Sequence, residues 1–278
     1  MKKLLEVARQ AAGAAAAVHR EHLGRVAVAE WSEKGTADFV SHVDRAAEAV
    51  IVERVRAAFP EHRLLAEEAA AERDEPSGVT NVGGAGEWTW IIDPLDGTTN
   101  YLHRYPAYAV SIGVARGSEL QAAVVLNSAT GEEWSAVRGG GAFLDGSRIA
   151  VSEIDVMARA LIGTGFPFKA LRLLPLYTRQ LDAALRSTAG VRRAGSAALD
   201  LCHVATGWFD GFWELDLAPW DVAAGALIVR EAGGLVTRLD GSSDVIGQGS
   251  LLAGNPAIHA ALGDLVRSAA ETTDTVVA

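Results

Sequence analysis

One short segment constrains this chain more than any other. An apolar run at residues 88–92 ends in two aspartates, Asp93 and Asp96, with a proline between them. The run predicts a strand, and the turn after it can aim both carboxylates and the carbonyl oxygen of Leu95 at one point. These are hard oxygen ligands, which suit magnesium and not zinc or copper. The segment therefore predicts a magnesium site at the end of a strand.

The residues after the aspartates predict the start of a helix. Gly97 allows close approach to the backbone, and free N–H groups of Gly97 and Thr98 would accept a phosphate without an arginine. The alternative is that Asp93 and Asp96 are ordinary turn and N-cap residues. We favour the functional interpretation because the proline, the glycine, the paired threonines and the strand all have a role in it.

The periodicity of the chain predicts mixed α+β architecture in two parts. The first part contains helices at 3–23 and from near Asp44 to Phe59, a strand through Leu64 and Leu65, a surface loop at 69–86, and an antiparallel meander at 88–92, 107–115 and 120–127. After about residue 150, strands near 160–164, 191–193, 210–215, 235–237 and 250–253 alternate with helices near 172–186, 196–206, 222–232 and 256–270. We therefore expect two domains, 1–150 and 151–278.

Composition excludes several classes of function. The 278 residues are 49% hydrophobic and carry a formal net charge of −10, which disfavours a protein built to hold nucleic acid or anionic membrane. No window approaches the roughly 20 apolar residues that span a bilayer. The single cysteine, Cys202, lies in an apolar stretch and is expected to be buried and not catalytic. A soluble cytoplasmic protein is the expectation.

Four motifs, in order, resemble those of the inositol monophosphatase family, within the lithium-sensitive, metal-dependent sugar phosphatase superfamily. The four segments are Asp38-Phe39-Val40-Ser41-His42-Val43-Asp44, Leu65-Ala66-Glu67-Glu68, Trp88-Thr89-Trp90-Ile91-Ile92-Asp93-Pro94-Leu95-Asp96-Gly97-Thr98-Thr99-Asn100, and Trp220-Asp221-Val222-Ala223-Ala224-Gly225 continued by Glu231-Ala232-Gly233-Gly234. In the second motif an alanine replaces the family's glycine. The resemblance covers about residues 34 to 234 and implies a layered αβαβα sandwich.

The resemblance also implies a metal site with two or three Mg²⁺ ions. Glu67, Asp93 and the Leu95 carbonyl would hold the first ion, and Asp93, Asp96 and Asp221 would hold the second. Four carboxylates from three segments would repel one another strongly without cations. We therefore expect metal to stabilise the protein.

Further roles follow from the same resemblance. The Thr98 hydroxyl, hydrogen-bonded to Asp44, would orient or deprotonate the attacking water, Glu67 is the third residue expected to be catalytic, and no phosphoenzyme is expected. The alternative for Asp44 is a plain N-cap. Substrate contacts are implied for Asp96, Gly97, Thr98, Gly195, Ser196, Ala197, Glu214 and Asp221. Lys34 and Gly35 match a loop that recruits another metal, although a solvated lysine is nearly as good an interpretation.

The leading function is hydrolysis of inositol-1-phosphate, since the Glu214 carboxylate can accept two hydroxyl hydrogen bonds from a polyol. Histidinol phosphate is the main rival substrate, followed by fructose-1,6-bisphosphate and nucleotide 3′-phosphates. A different class of function stays open, because some bacterial relatives bind the transcription and ribosomal-RNA machinery. By resemblance we also expect a homodimer and inhibition by lithium.

Overall fold

The computed structural model describes residues 1–26, 32–35, 38–72, 84, 86–247 and 249–271, with backbone alone at 32–35, 38–40 and 72. Its helices are α1 (Lys2–His22), α2 (His42–Ala58), α3 (Glu67–Glu72), α4 (Thr98–Leu102), α5 (Leu174–Ser187), α6 (Ala197–Ala205), α7 (Pro219–Glu231) and α8 (Pro256–Glu271). Its strands are β1 (Ser32–Gly35), β2 (Asp38–Val40), β3 (Arg63–Ala66), β4 (Trp88–Asp96), β5 (Ala109–Arg116), β6 (Glu119–Asn127), β7 (Glu133–Val137), β8 (Gly141–Leu144), β9 (Ser147–Ile149), β10 (Leu161–Thr164), β11 (Gly190–Arg192), β12 (Gly211–Leu217), β13 (Leu235–Arg238) and β14 (Gly249–Gly254). Short 3-10 segments lie at Met157–Arg159 and Phe168–Leu173.

Two large sheets and three pairs of helices form five layers. The first sheet has the order β3-β4-β5-β6-β7-β8-β9, antiparallel except that β3 runs parallel to β4. The second has the mixed order β11-β10-β12-β14-β13. Helices α1 and α2 cover the outside of the first sheet, α6 and α7 lie between the sheets, and α5 and α8 cover the outside of the second. The expected αβαβα sandwich is confirmed.

Alternation of side chains along the strands explains the layers. In β4, Trp90 and Ile92 pack among residues of α1 and α2, whereas Ile91 packs on the side of α6 and α7. In β12, Phe212 points to the inner layer and Trp213 to the layer of α5 and α8. Successive residues of a strand face opposite sides of a sheet, so an almost uninterrupted apolar strand requires cover on both faces.

The structure corrects several boundaries. Helix α2 begins at His42, because Ser41 and not Asp44 is its N-cap. Residues 69–72 belong to α3 and not to a loop, and most of the predicted loop lies outside the described residues. Strands β7, β8 and β9, which extend the meander, were not predicted. The domain boundary near residue 150 stays a prediction. Among the described helices, none combines the length and apolarity that a membrane crossing needs.

Two strands carry a bulge at the positions singled out by the sequence. Strand β4 continues past residue 92, and its pairing with β5 shifts between Asp93 and Asp96. Strand β12 shifts in the same way between Glu214 and Leu217, where Asp216 has a φ of 61°. A bulge inserts one extra residue and re-aims its neighbours. Both bulges therefore redirect predicted site residues.

Candidate active site

A cavity of about 300 Å³ is lined by elements of both sheets. It brings together all the predicted site residues with described side chains except Asp44, which lies directly behind one of them. The predicted residues that line it are Glu67, Asp93, Leu95, Asp96, Gly97, Thr98, Gly195, Ser196, Ala197, Glu214 and Asp221. The side chain of Lys34 lies outside the described part of the chain. The cavity is therefore the candidate active site.

Strand pairing explains how Glu67 comes to lie beside the aspartates. Strands β3 and β4 are parallel, and Ala66 is in register with Ile92. The next residue along the chain is a carboxylate in both cases, Glu67 at the start of α3 and Asp93 within β4. Asp221 comes from the first turn of α7, where its Oδ2 accepts the N–H of Ala218 at 2.7 Å.

Protein donors fix the orientation of the carboxylates in β4. Asp93 Oδ1 accepts the N–H of Leu95 at 3.0 Å, across the bulge. Asp96 Oδ2 accepts the hydroxyl of Ser196 at 2.6 Å and the N–H of Ala198 at 2.8 Å. Ser196 is also the N-cap of α6, so Asp96 connects the first sheet to the helix layer between the sheets.

Burial and mutual repulsion perturb these acids. Burial, followed by the charges of Glu67, Asp96 and Asp221, raises the pKa of Asp93 well above its ordinary value. Burial likewise raises the pKa of Asp96 to about 6, against the hydrogen bonds that lower it. The pKa of Asp221 rises to about 7, again chiefly through burial. Such a cluster favours either bound protons or bound cations.

The donor set fits magnesium. All four acidic side chains and the Leu95 carbonyl supply oxygen, which is what this ion prefers. Among the described residues, the hydrogen bonds to Asp93, Asp96 and Asp221 engage one oxygen of each carboxylate, which leaves the second as a candidate ligand. No three acidic, histidine or cysteine side chains of the described residues already stand in a closed metal-binding group. The cluster is thus oriented but open.

Asp44 and Thr98 form the hydrogen bond that the family resemblance implies. Thr98 Oγ1 lies 3.0 Å from Asp44 Oδ1 and 3.1 Å from the Leu95 carbonyl oxygen. Asp44 Oδ2 accepts both the N–H of Ser41, at 2.8 Å, and its hydroxyl, at 2.7 Å. Asp44 is therefore the third helical residue of a capping box and the partner of Thr98 at once. Burial raises its pKa.

Gly97 cannot be replaced without displacing the backbone. Its φ is +91°, and a Cβ there would lie 2.8 Å from the Ala107 carbonyl oxygen. It precedes α4, whose first N–H groups have no intrahelical acceptor. Asn100, which lies in α4, donates its side-chain amide to the carbonyl oxygens of Ala107, at 2.6 Å, and Ala194, at 2.9 Å. Asn100 therefore ties the signature segment to the loop before Gly195.

Glu214 also lines the cavity, and it lies on the bulge of β12. Burial raises its pKa to about 8, helped by Asp221, and nearby Arg193 opposes the shift. Its carboxyl group packs directly on Gly165, where a Cβ would lie 1.9 Å from the carboxyl carbon. Any larger side chain at position 165 would therefore displace the Glu214 carboxyl group, and no motif in the sequence marks this glycine.

Three further lining residues were missed. Lys169 lies on the 3-10 segment after β10, and its charge lowers the pKa of Asp93, Asp96 and Glu214. The Arg193 guanidinium lies 5.1 and 5.2 Å from the ring centroids of Phe166 and Phe168.

The third missed residue is Asp200, which is 1% exposed and whose Oδ1 has no hydrogen-bond partner among the described residues. None of the three missed residues lies in a local motif, so only the tertiary structure identifies them.

Fold and site together define a class: five-layer αβαβα proteins with a carboxylate-lined cavity between two sheets. The sequence model of the inositol monophosphatase family matches residues 1–271. The chain is 43% identical over 264 residues to the inositol-1-monophosphatase of Rhizobium meliloti, covering 95% of this chain and 96% of that one. The chain belongs to the inositol monophosphatase family.

Two other comparisons agree with this assignment. The Nus factor SuhB of Pseudomonas aeruginosa is 42% identical over 264 residues, covering 94% of this chain and 95% of that one. The structure of the inositol monophosphatase from Anabaena matches with a TM-score of 0.82 at 37% identity and covers 96% of each chain. Relatives of this chain therefore carry two kinds of name.

Proposed function

We propose that this protein is a magnesium-dependent phosphomonoester hydrolase that converts inositol-1-phosphate to inositol and phosphate. The observation that carries the proposal is the cavity in which Glu67, Asp93, Asp96 and Asp221 lie together with Thr98, whose hydroxyl is hydrogen-bonded to Asp44 behind the cavity wall. A metal-binding group and a water-orienting group in one cavity suit hydrolysis of a phosphate ester.

Each residue has a role in this scheme. Bound magnesium would acidify water and neutralise the departing alkoxide oxygen. The Glu67, Asp93, Asp96 and Asp221 carboxylates and the Leu95 carbonyl would hold two or three such ions. Thr98, which donates to Asp44 and can accept from a water, would orient the nucleophile. The Gly97 and Thr98 N–H groups would bind phosphate oxygens.

The carboxyl group of Glu214 supports a polyol substrate. Glu214 packs against Gly165 and can accept two hydroxyl hydrogen bonds. Gly195 and Ala197 line the same cavity, whereas the Ser196 hydroxyl is already engaged by Asp96. Substrate contact by Ser196 stays a prediction. An acidic group here would also suit the amine of histidinol phosphate, which is the main rival.

A substrate panel tests the proposal. Phosphate release is measured from inositol-1-phosphate, histidinol phosphate, fructose-1,6-bisphosphate and 3′-phosphoadenosine 5′-phosphate, each with magnesium and with EDTA. We expect magnesium-dependent release that is fastest from inositol-1-phosphate. Glu214→Gln should raise KM for that substrate by about tenfold, because the amide nitrogen cannot accept the second hydroxyl hydrogen bond. If another substrate is hydrolysed fastest, the assignment of inositol-1-phosphate is wrong and the assignment as a phosphomonoester hydrolase stands.

A second candidate function is binding to a partner, because the Pseudomonas aeruginosa relative is named a Nus factor. The transcription and ribosomal-RNA machinery is then the expected class of partner. Asp93→Asn separates the two functions, since it should abolish turnover and leave a partner surface unchanged. Loss of both together would show that the two functions share the metal site.

Family membership supports three further expectations. We propose a cytoplasmic homodimer, to be tested by sedimentation of the purified protein. Lithium at tens of millimolar should inhibit hydrolysis. Full activity at that concentration would count against kinship with the inositol-hydrolysing branch of the family.

A further inference from the structure

A buried carboxylate outside the cavity binds the helix that carries one of the residues lining the cavity. Glu48 lies in α2, one turn after Asp44, and is 7% exposed. Its Oε2 accepts the N–H of Glu68 at 2.8 Å, and its Oε1 accepts the N–H of Ala69 at 2.9 Å. Its two oxygens thus bind two successive N–H groups of another helix.

Those N–H groups belong to the first turn of α3, which begins at Glu67. Two bonds from different oxygens fix both the position and the rotation of that turn, which a single bond would not do. Glu67 is joined to Glu68 by one peptide bond, so its backbone is held by the same contact.

We propose that Glu48 is a positioning residue for magnesium, holding the first turn of α3 so that the Glu67 carboxylate meets Asp93. This inference rests on the proposed function. Partners that orient a metal ligand change metal affinity by about 10- to 100-fold when they are removed. Glu48 has this relation to Glu67 without lining the cavity itself.

Helix α2 therefore holds two parts of the site, the Thr98 side chain and the first turn of α3. Asp44 and Glu48 are four residues apart, so they lie on one face of the helix. Asp44 bonds Thr98, on the β4 side of the cavity, and Glu48 bonds α3. The distance between the water-orienting pair and the Glu67 ligand is therefore set by one rigid turn.

The test is magnesium binding measured by calorimetry on Glu48→Gln, which keeps one accepting oxygen and the size of the side chain. We expect an affinity about tenfold weaker than wild type, with a similar loss at subsaturating magnesium in turnover and a smaller one at saturation. Glu53→Gln is the matched control, because Glu53 is an exposed acid of the same helix. Its affinity should equal that of wild type.

A double variant distinguishes positioning from general stability. In a Glu67→Gln background, Glu48→Gln should cause no further loss of affinity, since the ligand that it positions is already gone. An unchanged affinity in the single variant, or full additive loss in the double variant, would overturn the inference. If wild type binds magnesium but hydrolyses none of the substrates, the proposed function is overturned, and the magnesium affinities of wild type and the variants still test the role of Glu48. Wild type that binds no magnesium would overturn both.

Discussion

At the scale of single residues, the acids of the cavity are oriented by bonds inside the protein. Asp93 and Asp221 each accept a backbone N–H, and Asp96 accepts both an N–H and the Ser196 hydroxyl. These hydrogen bonds therefore orient each carboxylate before a metal ion binds. This arrangement lowers the entropic cost of assembling a metal site, and it concentrates negative charge that the protein must tolerate.

Gly165→Ala tests the contact beneath Glu214. The new Cβ would lie 1.9 Å from the carboxyl carbon, so the acid must move. We expect KM for the preferred substrate to rise about tenfold or more, with magnesium affinity unchanged, since a misplacement of about 1 Å can cost about 100-fold. Gly13→Ala in α1 is the control, because its Cβ would meet open space. Equal KM values in both variants would contradict the contact.

Asp200→Asn tests a buried acid whose Oδ1 has no hydrogen-bond partner among the described residues. Burial, then Glu214 and Asp96, raises the pKa of Asp200 well above its ordinary value. A carboxyl whose pKa is raised on folding stabilises the protein at low pH and loses that contribution as pH rises. Near pH 8 the neutral variant should therefore melt about 3 °C or more above wild type, and the gain should vanish near pH 4.

Asp210→Asn is the control for that experiment, because Asp210 is a buried acid that accepts hydrogen bonds. Asp210 is also buried, and it accepts the Ser152 hydroxyl at 2.5 Å and the Leu161 N–H at 2.6 Å. Its replacement should lower the melting temperature. A fall in both variants would show that Asp200 has a structural partner.

The sequence predicted residues whose chemistry is local and missed those placed by tertiary contact. Asp93, Asp96 and Gly97 stand in one short segment, so their joint role can be deduced from neighbours. Lys169 and Gly165 lie after a strand of the other sheet, and nothing near them in the sequence indicates charge compensation or a close approach. Their roles depend on contacts across the cavity, which a linear pattern does not contain.

At the scale of elements, α2 and the two bulged strands decide the geometry. The sequence predicted α2 and β4 but ended β4 at residue 92, because Pro94 and the second aspartate are typical of a turn. The bulge lets the strand continue to Asp96 while both acids reach the cavity. The short strands β8 and β9 were missed because Gly139 and Asp145 predict turns, and the strands that follow these turns are only four and three residues long.

Ser41→Ala tests the link between a helix cap and the site. Ser41 accepts the Val43 N–H at 3.1 Å and donates its hydroxyl to Asp44, which in turn bonds Thr98. We expect the free energy of unfolding to fall by about 1 kcal/mol. We also expect kcat to fall about tenfold, since Asp44 loses one of its anchors. Ser41→Thr should restore both, and an unchanged kcat in the alanine variant would contradict the link.

At the scale of the whole molecule, the cavity concentrates acidity in a chain of net charge −10. The raised pKa values of Asp93, Asp96 and Asp221 mean that the metal-free folded state holds protons that the unfolded state releases. Stability from this source is complete below about pH 4 and is lost as pH rises through about 6 and about 7. Cations should replace those protons.

Thermal unfolding in EDTA and in magnesium tests this balance. Between about pH 5 and 8 the metal-free protein should lose about 5 °C or more in melting temperature. Saturating magnesium should restore most of that loss at pH 8 and have little effect at pH 5, where bound protons compete with the ion. A melting temperature independent of both pH and magnesium would contradict the carboxylate cluster.

The most direct test of the whole account is phosphate release from inositol-1-phosphate as metal-free enzyme is titrated with magnesium, for wild type and Asp93→Asn. We predict no release in EDTA, a saturable rise for wild type, and a rate at least about 1,000-fold lower for the variant, because Asp93 would serve both ions. Release that persists without magnesium, or that survives in Asp93→Asn, would contradict the account.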